Sequence, residues 1–235
     1  MMKKLGLIGA ALVAVLALSA LVFAPVSSAG LPELLPTGRW TGVSDNSRAE
    51  GGPLLETLAR TRVLCEKAKA EGADETDTLG QFHIKFEGCE QTALKARCKG
   101  MAGDVEGEIL SLGTYHHVYD VLGTGEALGV AILFLPTEVS FECGPLVRVR
   151  VKVQSANGGV ICLWLEPLVS RKTHLFHCEQ EIGDQKESRY WNDGGTLLTR
   201  IELLCEINNS GRFESCAELA LGTVTYGEPV AFMNE

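Results

Sequence analysis

Eight cysteines, five histidines and several short acidic rows are the residues in this 235-residue chain whose types and spacing could do chemistry. The cysteines are Cys65, Cys89, Cys98, Cys143, Cys162, Cys178, Cys205 and Cys216. An even number, in a chain that opens with an export-type leader, reads as a disulfide set with no thiol left over. A thiolate nucleophile is therefore not expected. Zinc would need close cysteine pairs, yet C-x-x-C occurs nowhere, and the nearest cluster is His174-Leu175-Phe176-His177-Cys178. On an extended segment His174 and His177 face opposite sides, so the cluster reads as ordinary strand residues. His116-His117 fails as a metal pair for the same reason.

Acid–base work on sugars requires two carboxylates in one cleft. Asp104, Glu106 and Glu108 alternate along a possible strand and would share a face. That face could hold a sugar or calcium, but rows of charge are most often solvated, and the solvated reading is preferred. The basic row Arg148, Arg150 and Lys152 offers two uses. It could lie across from the acidic row, each cross-strand pair adding ~0.2–1 kcal/mol, or meet an anionic wall polymer. Asp74, Glu75 and Asp77 lack the spacing of a calcium-binding loop and read as an exposed loop. Neither a Gly-x-Ser-x-Gly elbow nor a nucleotide-binding glycine loop is present. The three tryptophans are scattered, with no aromatic platform for sugar stacking. No catalytic residue, cofactor-binding residue, metal ligand or cofactor is expected, and the chain reads as a non-enzyme.

The elements that would position these residues begin after the leader. Lys3-Lys4, the apolar run Leu5–Ala24, Pro25 and the small residues Ser27-Ser28-Ala29 are the parts of a signal peptide, assigned to residues 1–29. The apolar run is also long enough to span a bilayer, so a retained anchor is the alternative; Pro25 favours cleavage. Membrane contact is expected only through that uncleaved segment. The chain carries a net charge of −9, and loss of Lys3 and Lys4 would make it more acidic. Such a balance argues against nucleic acid as a partner.

Residues 30–52, with Pro32, Pro36, Gly38 and Gly42, read as an irregular lead-in with Trp40 tucked onto the domain surface. Residues 53–235 read as a single β domain. Phe82, Ile84 and Phe86 alternate with His83, Lys85 and Glu87, and Val147, Val149, Val151 and Val153 alternate with Arg148, Arg150 and Lys152. That is the period of half-buried strands. Ala127–Leu135 is nearly all apolar, as in a strand covered on both faces. Further runs are Val63–Ala70, Gly107–Val121, Val139–Cys143, Val160–Leu165, Thr173–Gln180, Leu197–Ile207 and Arg212–Tyr226, with turn signals at Asn157-Gly158-Gly159 and Asn192–Gly195. The expected fold is all-β: an antiparallel β-sandwich or closed β-barrel of roughly ten strands, stapled by disulfides.

Short loops suggest which cysteines meet. Cys89 and Cys98 enclose a brief polar stretch, and a hairpin centred between Ser210 and Gly211 would set Cys205 directly opposite Cys216. Cys162 with Cys178 is then a third pair, leaving Cys65 with Cys143.

Phe86-Glu87-Gly88-Cys89, then Cys98, Gly107-Glu108-Ile109 and Phe141-Glu142-Cys143, with Cys65 opening the module, carry a resemblance. Over residues 50–230 the chain resembles a group of uncharacterised exported bacterial β-rich proteins. That resemblance implies secretion and a β-rich module and brings no activity with it. The expected function is a secreted, non-catalytic structural or binding module associated with the cell envelope or wall, outside the cytoplasm. The alternative is an extracellular hydrolase acting on polysaccharide or cell-wall material.

Overall fold

The structure, a computed structural model, describes residues 31–45, 52–101, 105–122, 127–153, 159–181, 184–185, 189–191, 197–199 and 202–233. The expected signal segment 1–29 and Asp104 lie outside them. Among the described residues all regular structure is β, twenty strands named β1 to β20 in chain order.

Eight of these strands close an antiparallel barrel. Around it run β2 (Arg39–Asp45), β5 (Lys67–Asp74), β6 (Leu79–Glu87), β9 (Glu108–Leu122) and β10 (Ala127–Pro136). Then come β13 (Val160–Leu165), β14 (Arg171–Cys178) and β20 (Phe213–Met233), which returns to β2. A closed barrel leaves no unpaired edge.

The 21-residue β20 belongs to a second circuit as well. Its first half pairs with β3 (Leu54–Thr57), which continues through β4 (Arg62–Leu64), β7 (Glu90–Gln91) and β8 (Ala96–Gly100). From there β11 (Val139–Cys143), β12 (Val147–Val153) and β19 (Leu203–Ile207) lead back to β20. One apolar core runs through both circuits, with Phe82, Ile132 and Val224 from the barrel meeting Phe141, Val149 and Leu203 from the smaller ring. Short pieces border this frame: β1 (Glu33–Leu35) on the end of β20, β17 (Arg189–Trp191) between β9 and β18 (Leu197–Thr199), and the pair β15 (Gln180–Glu181) and β16 (Asp184–Gln185).

Within the stretch 30–52, the described residues 31–45 are not an irregular lead-in. They contain β1 and the barrel strand β2, on which Trp40, Gly42 and Ser44 are buried while Arg39, Thr41 and Val43 are exposed. Trp40 is inside the barrel rather than on its surface, because the alternation Trp-Thr-Gly-Val-Ser gives it the same face as two small inward residues. In the apolar run Ala127–Leu135, the four residues Val130 to Leu133 are buried on both faces of the strand. Val130 and Ile132 enter the main core, whereas Ala131 and Leu133 pack outside it with Val118, Ile161 and Tyr190. Two expected runs are each split: Val63–Ala70 becomes β4 and β5 around Cys65-Glu66, and Leu197–Ile207 becomes β18 and β19.

All eight cysteines are bonded, as Cys65–Cys89, Cys98–Cys143, Cys162–Cys178 and Cys205–Cys216. The last two pairs are those expected; Cys89–Cys98 and Cys65–Cys143 are corrected. Register explains why. Val63 faces Gln91 across β4–β7, Glu90 faces Arg97 across β7–β8, and Cys98 faces Cys143 across β8–β11. These pairings place Cys65, Cys89, Cys98 and Cys143 in one row over four neighbouring strands. A row of four pairs two by two, since a bond in its middle would leave Cys65 and Cys143 three strand spacings apart, roughly 14 Å along the sheet. Cys205 and Cys216 are diagonal rather than directly opposite, because Cys205 faces Glu214 and Leu203 faces Cys216. Ser210 N–H donates to the Ile207 carbonyl at 3.2 Å around left-handed Asn208 and Asn209, and Gly211 is left-handed too. The ladder resumes only at Glu206–Phe213, which shifts the register.

Gly72 on β5 and Gly80 on β6 make room for the largest inward rings. A Cβ on Gly72 would lie 2.3 Å from the Trp40 indole and 2.5 Å from the Gln81 carbonyl; one on Gly80 would lie 2.3 Å from the Tyr115 ring. Gly72→Ala is therefore expected to destabilise by ~1–3 kcal/mol or more, since neither the indole nor the backbone can retreat within a closed wall. Urea unfolding checks this, and a variant as stable as the parent would show that the Trp40 seat is loose.

Candidate functional site

Side-chain alternation around the barrel leaves an apolar cavity in the core where the two circuits meet. Phe82, Ile84 and Phe86 of β6 line it, and their alternates His83, Lys85 and Glu87 lie on the outer wall. Phe134, Phe176 and Val224 line it from β10, β14 and β20, and Val139 and Leu203 from the smaller ring. The cavity volume is about 120 Å³. Cavities of about 150 Å³ with such walls stay dry and accept benzene-sized guests.

One wall residue is out of character. Glu218 on β20 shares its inward face with Ala220, Val224 and Tyr226, and its side chain lines the cavity. Protein surrounds it, yet the residue is half-buried rather than wholly enclosed. Burial alone pushes its pKa from 4.5 up to about 7. Among the described residues no hydrogen bond or ion pair reaches this carboxyl. A buried carboxylate without a partner is costly. The only other hydroxyls on the wall are Ser44 and Ser111, and Ser44 Oγ already donates to the Leu221 carbonyl at 2.9 Å. Residue parity could have found Glu218: in Cys216-Ala217-Glu218-Leu219-Ala220 an acid takes the slot of an inward apolar residue.

Beyond Trp40, whose ring lines the cavity, lies a polar cluster. Trp40 Nε1–H donates to Tyr115 Oη at 2.8 Å, and Tyr115 O–H donates to Asp74 Oδ1 at 2.5 Å. The second Asp74 oxygen accepts the Gly38 amide at 2.9 Å. The Asp74 carboxylate is fully buried, which corrects the expectation of an exposed loop. It is the last residue of β5 and turns inward, whereas Glu75 stays outside and accepts from Gln81. His117 Nε2 is 3.8 Å from Asp74 Oδ1, its ring against Phe232 and Tyr115, and burial pushes its pKa down. Burial likewise raises the Tyr115 hydroxyl's pKa, with Asp74 adding to it. Both groups are thus kept neutral; the Trp40–Tyr115–Asp74 chain is hydrogen-bonded throughout, whereas neither ring nitrogen of the buried His117 has a hydrogen-bond partner among the described residues.

The remaining sequence candidates do not converge. His174 is buried, with Nε2–H donating to the carbonyls of Val230 (3.0 Å) and Arg171 (3.1 Å), while His177 pairs outward with Glu179 at 3.1 Å. Cys178 is in its disulfide. His116 and His117 occupy opposite faces of β9, His117 on the inner one. Glu106 sits in an exposed turn before β9, and Glu108 bonds Lys85 at 2.8 Å across to β6. The basic row on β12 is elsewhere, so among the described residues Glu106 and Glu108 do not pair with it. Arg150 instead bonds Glu206 at 2.8 Å and Glu138 at 3.0 Å, Arg148 lies 3.6 Å from Glu142, and Lys152 rests 3.7 Å over the Phe213 ring. β12 is bounded by β11 and β19, which supply Glu142 and Glu206.

Comparison of the chain with protein-family models, curated proteins and solved structures finds no match.

Proposed function

We propose that this protein is an exported, non-catalytic binding module that holds a small apolar molecule inside its barrel. The cavity at the junction of the two circuits carries the reading, because an apolar hollow inside an otherwise packed core forgoes dispersion contacts that a guest restores. Export is supported by the leader-type N-terminus and by four disulfides, which are typical of oxidising compartments. Association with the envelope or wall would then concern the outer surface, where Arg148, Arg150 and Lys152 are already engaged by acids and a ring. No specific observation favours hydrolysis, since Glu106 and Glu108 do not share a cleft.

Toluene is the expected first guest. It should raise the melting temperature in a saturable manner, as any ligand of the folded state does. Ala70→Leu, which directs bulk into the cavity from β5, should fold and lose that response. Equal, non-saturating responses from both proteins would mean that the cavity takes no guest.

A further inference from the structure

Resting on the reading of the cavity as a binding site, we infer that its ligand is an apolar molecule bearing a single hydroxyl, a phenol or short alcohol, whose O–H is received by Glu218. Three observations define the class. The walls around the 120 Å³ hollow are hydrocarbon, aromatic and disulfide surface, so the body of the ligand is apolar and small. Glu218 lines that space with no partner among the described residues, so its carboxyl is left without a donor. Of the two wall hydroxyls, Ser44 is spent on the Leu221 carbonyl and Ser111 makes no hydrogen bond to Glu218.

The inventory of donors and acceptors separates this class from its neighbours. An ammonium carries three donors and a second charge to desolvate, and among the described residues the walls present only the Glu218 carboxyl and the Ser111 hydroxyl as open polar groups. A ligand carboxylate would place like charges together in an apolar space. One hydroxyl suits the Glu218 carboxyl: it donates to the carboxylate, and it can accept if Glu218 is protonated. Glu218 is the only titratable residue lining the cavity among the described residues, so no other charge competes for the ligand.

Titration calorimetry of the full folded protein at pH 7 with phenol, toluene and benzylamine tests the assignment. Phenol should bind the parent at least tenfold more tightly than toluene, with benzylamine the weakest. Glu218→Leu should bring phenol down to the affinity of toluene, while Glu218→Gln, which keeps an acceptor, should retain a several-fold preference. Toluene binding by both variants shows that the cavity persists. Phenol and toluene binding the parent alike would overturn the role of Glu218 while leaving the binding function in place. Benzylamine binding most tightly would overturn the hydroxyl assignment. Absence of binding by all three to the parent would overturn the binding function and this inference together.

Discussion

Replacing Cys98 and Cys143 together by alanine is expected to lower the stability of the protein by ~4 kcal/mol, more than removal of any other bridge. This disulfide spans 45 residues, the longest of the four separations, against 24, 16 and 11 for the others. In the chain-entropy account the constraint on the unfolded state grows with the logarithm of the loop, so the Cys205–Cys216 bond is worth ~3 kcal/mol. Both cysteines of the long bridge are fully buried on neighbouring strands β8 and β11, and alanine leaves the backbone ladder between them intact. The loss therefore reports the cross-link more than a rearranged core. Urea unfolding of the double variants Cys98→Ala/Cys143→Ala and Cys205→Ala/Cys216→Ala gives the comparison. A larger cost for the shorter loop would show that native packing around the sulfurs, and not chain constraint, sets their value.

Glu218 should make this a protein that loses stability as pH rises through the mildly acidic range. Its carboxyl has a folded-state pKa of about 7 against 4.5 for the free group. The folded chain thus holds the proton more firmly than the unfolded chain. Between those two values the unfolded state releases the proton and the folded state does not, so stability declines with rising pH and then levels off above about 7. The whole drop is on the order of 3 kcal/mol. Glu218→Gln should flatten this decline and be the more stable protein at pH 8. Curves for parent and variant that run parallel across the interval would mean that water or another group hydrates the carboxylate. Glu87 acts in a different window with the opposite sign. Hydrogen bonds from Lys67 and Lys69 hold its pKa down at about 2, so its contribution is present above 4.5 and fades as pH falls toward 2. The two titrations are separable by pH alone.

Much of the frame was legible because a strand writes its environment into every second residue. Phe82, Ile84 and Phe86 declared one inward face, the valines of 147–153 another, and the unbroken apolar run at 127–135 announced cover on both sides. Of the two pairings that short loops suggest, Cys205–Cys216 holds and Cys89–Cys98 does not, while Cys162–Cys178, the third expected pair, also holds. Trp40 and Asp74 were misplaced, since small or charged neighbours in a proline- and glycine-rich stretch resemble a loop until a closed wall is seen to need β2 and the inward end of β5. Glu218 was passed over for a related reason. An acid in a strand normally marks the solvent face, and only its parity with Ala220 and Val224 spoke against that.

By itself the sequence determined that the regular structure of the described residues is β, that the thiols are consumed in pairs, and which side chains share a face. Local alternation and cysteine number are enough for those properties. Tertiary structure alone decided that the strands close into a barrel and a smaller ring joined through β20, that Cys65, Cys89, Cys98 and Cys143 stand in one row, and that a carboxyl looks into an apolar hollow. Each of these depends on register between strands far apart in the chain, and a single strand's pattern carries no information about its partner's offset.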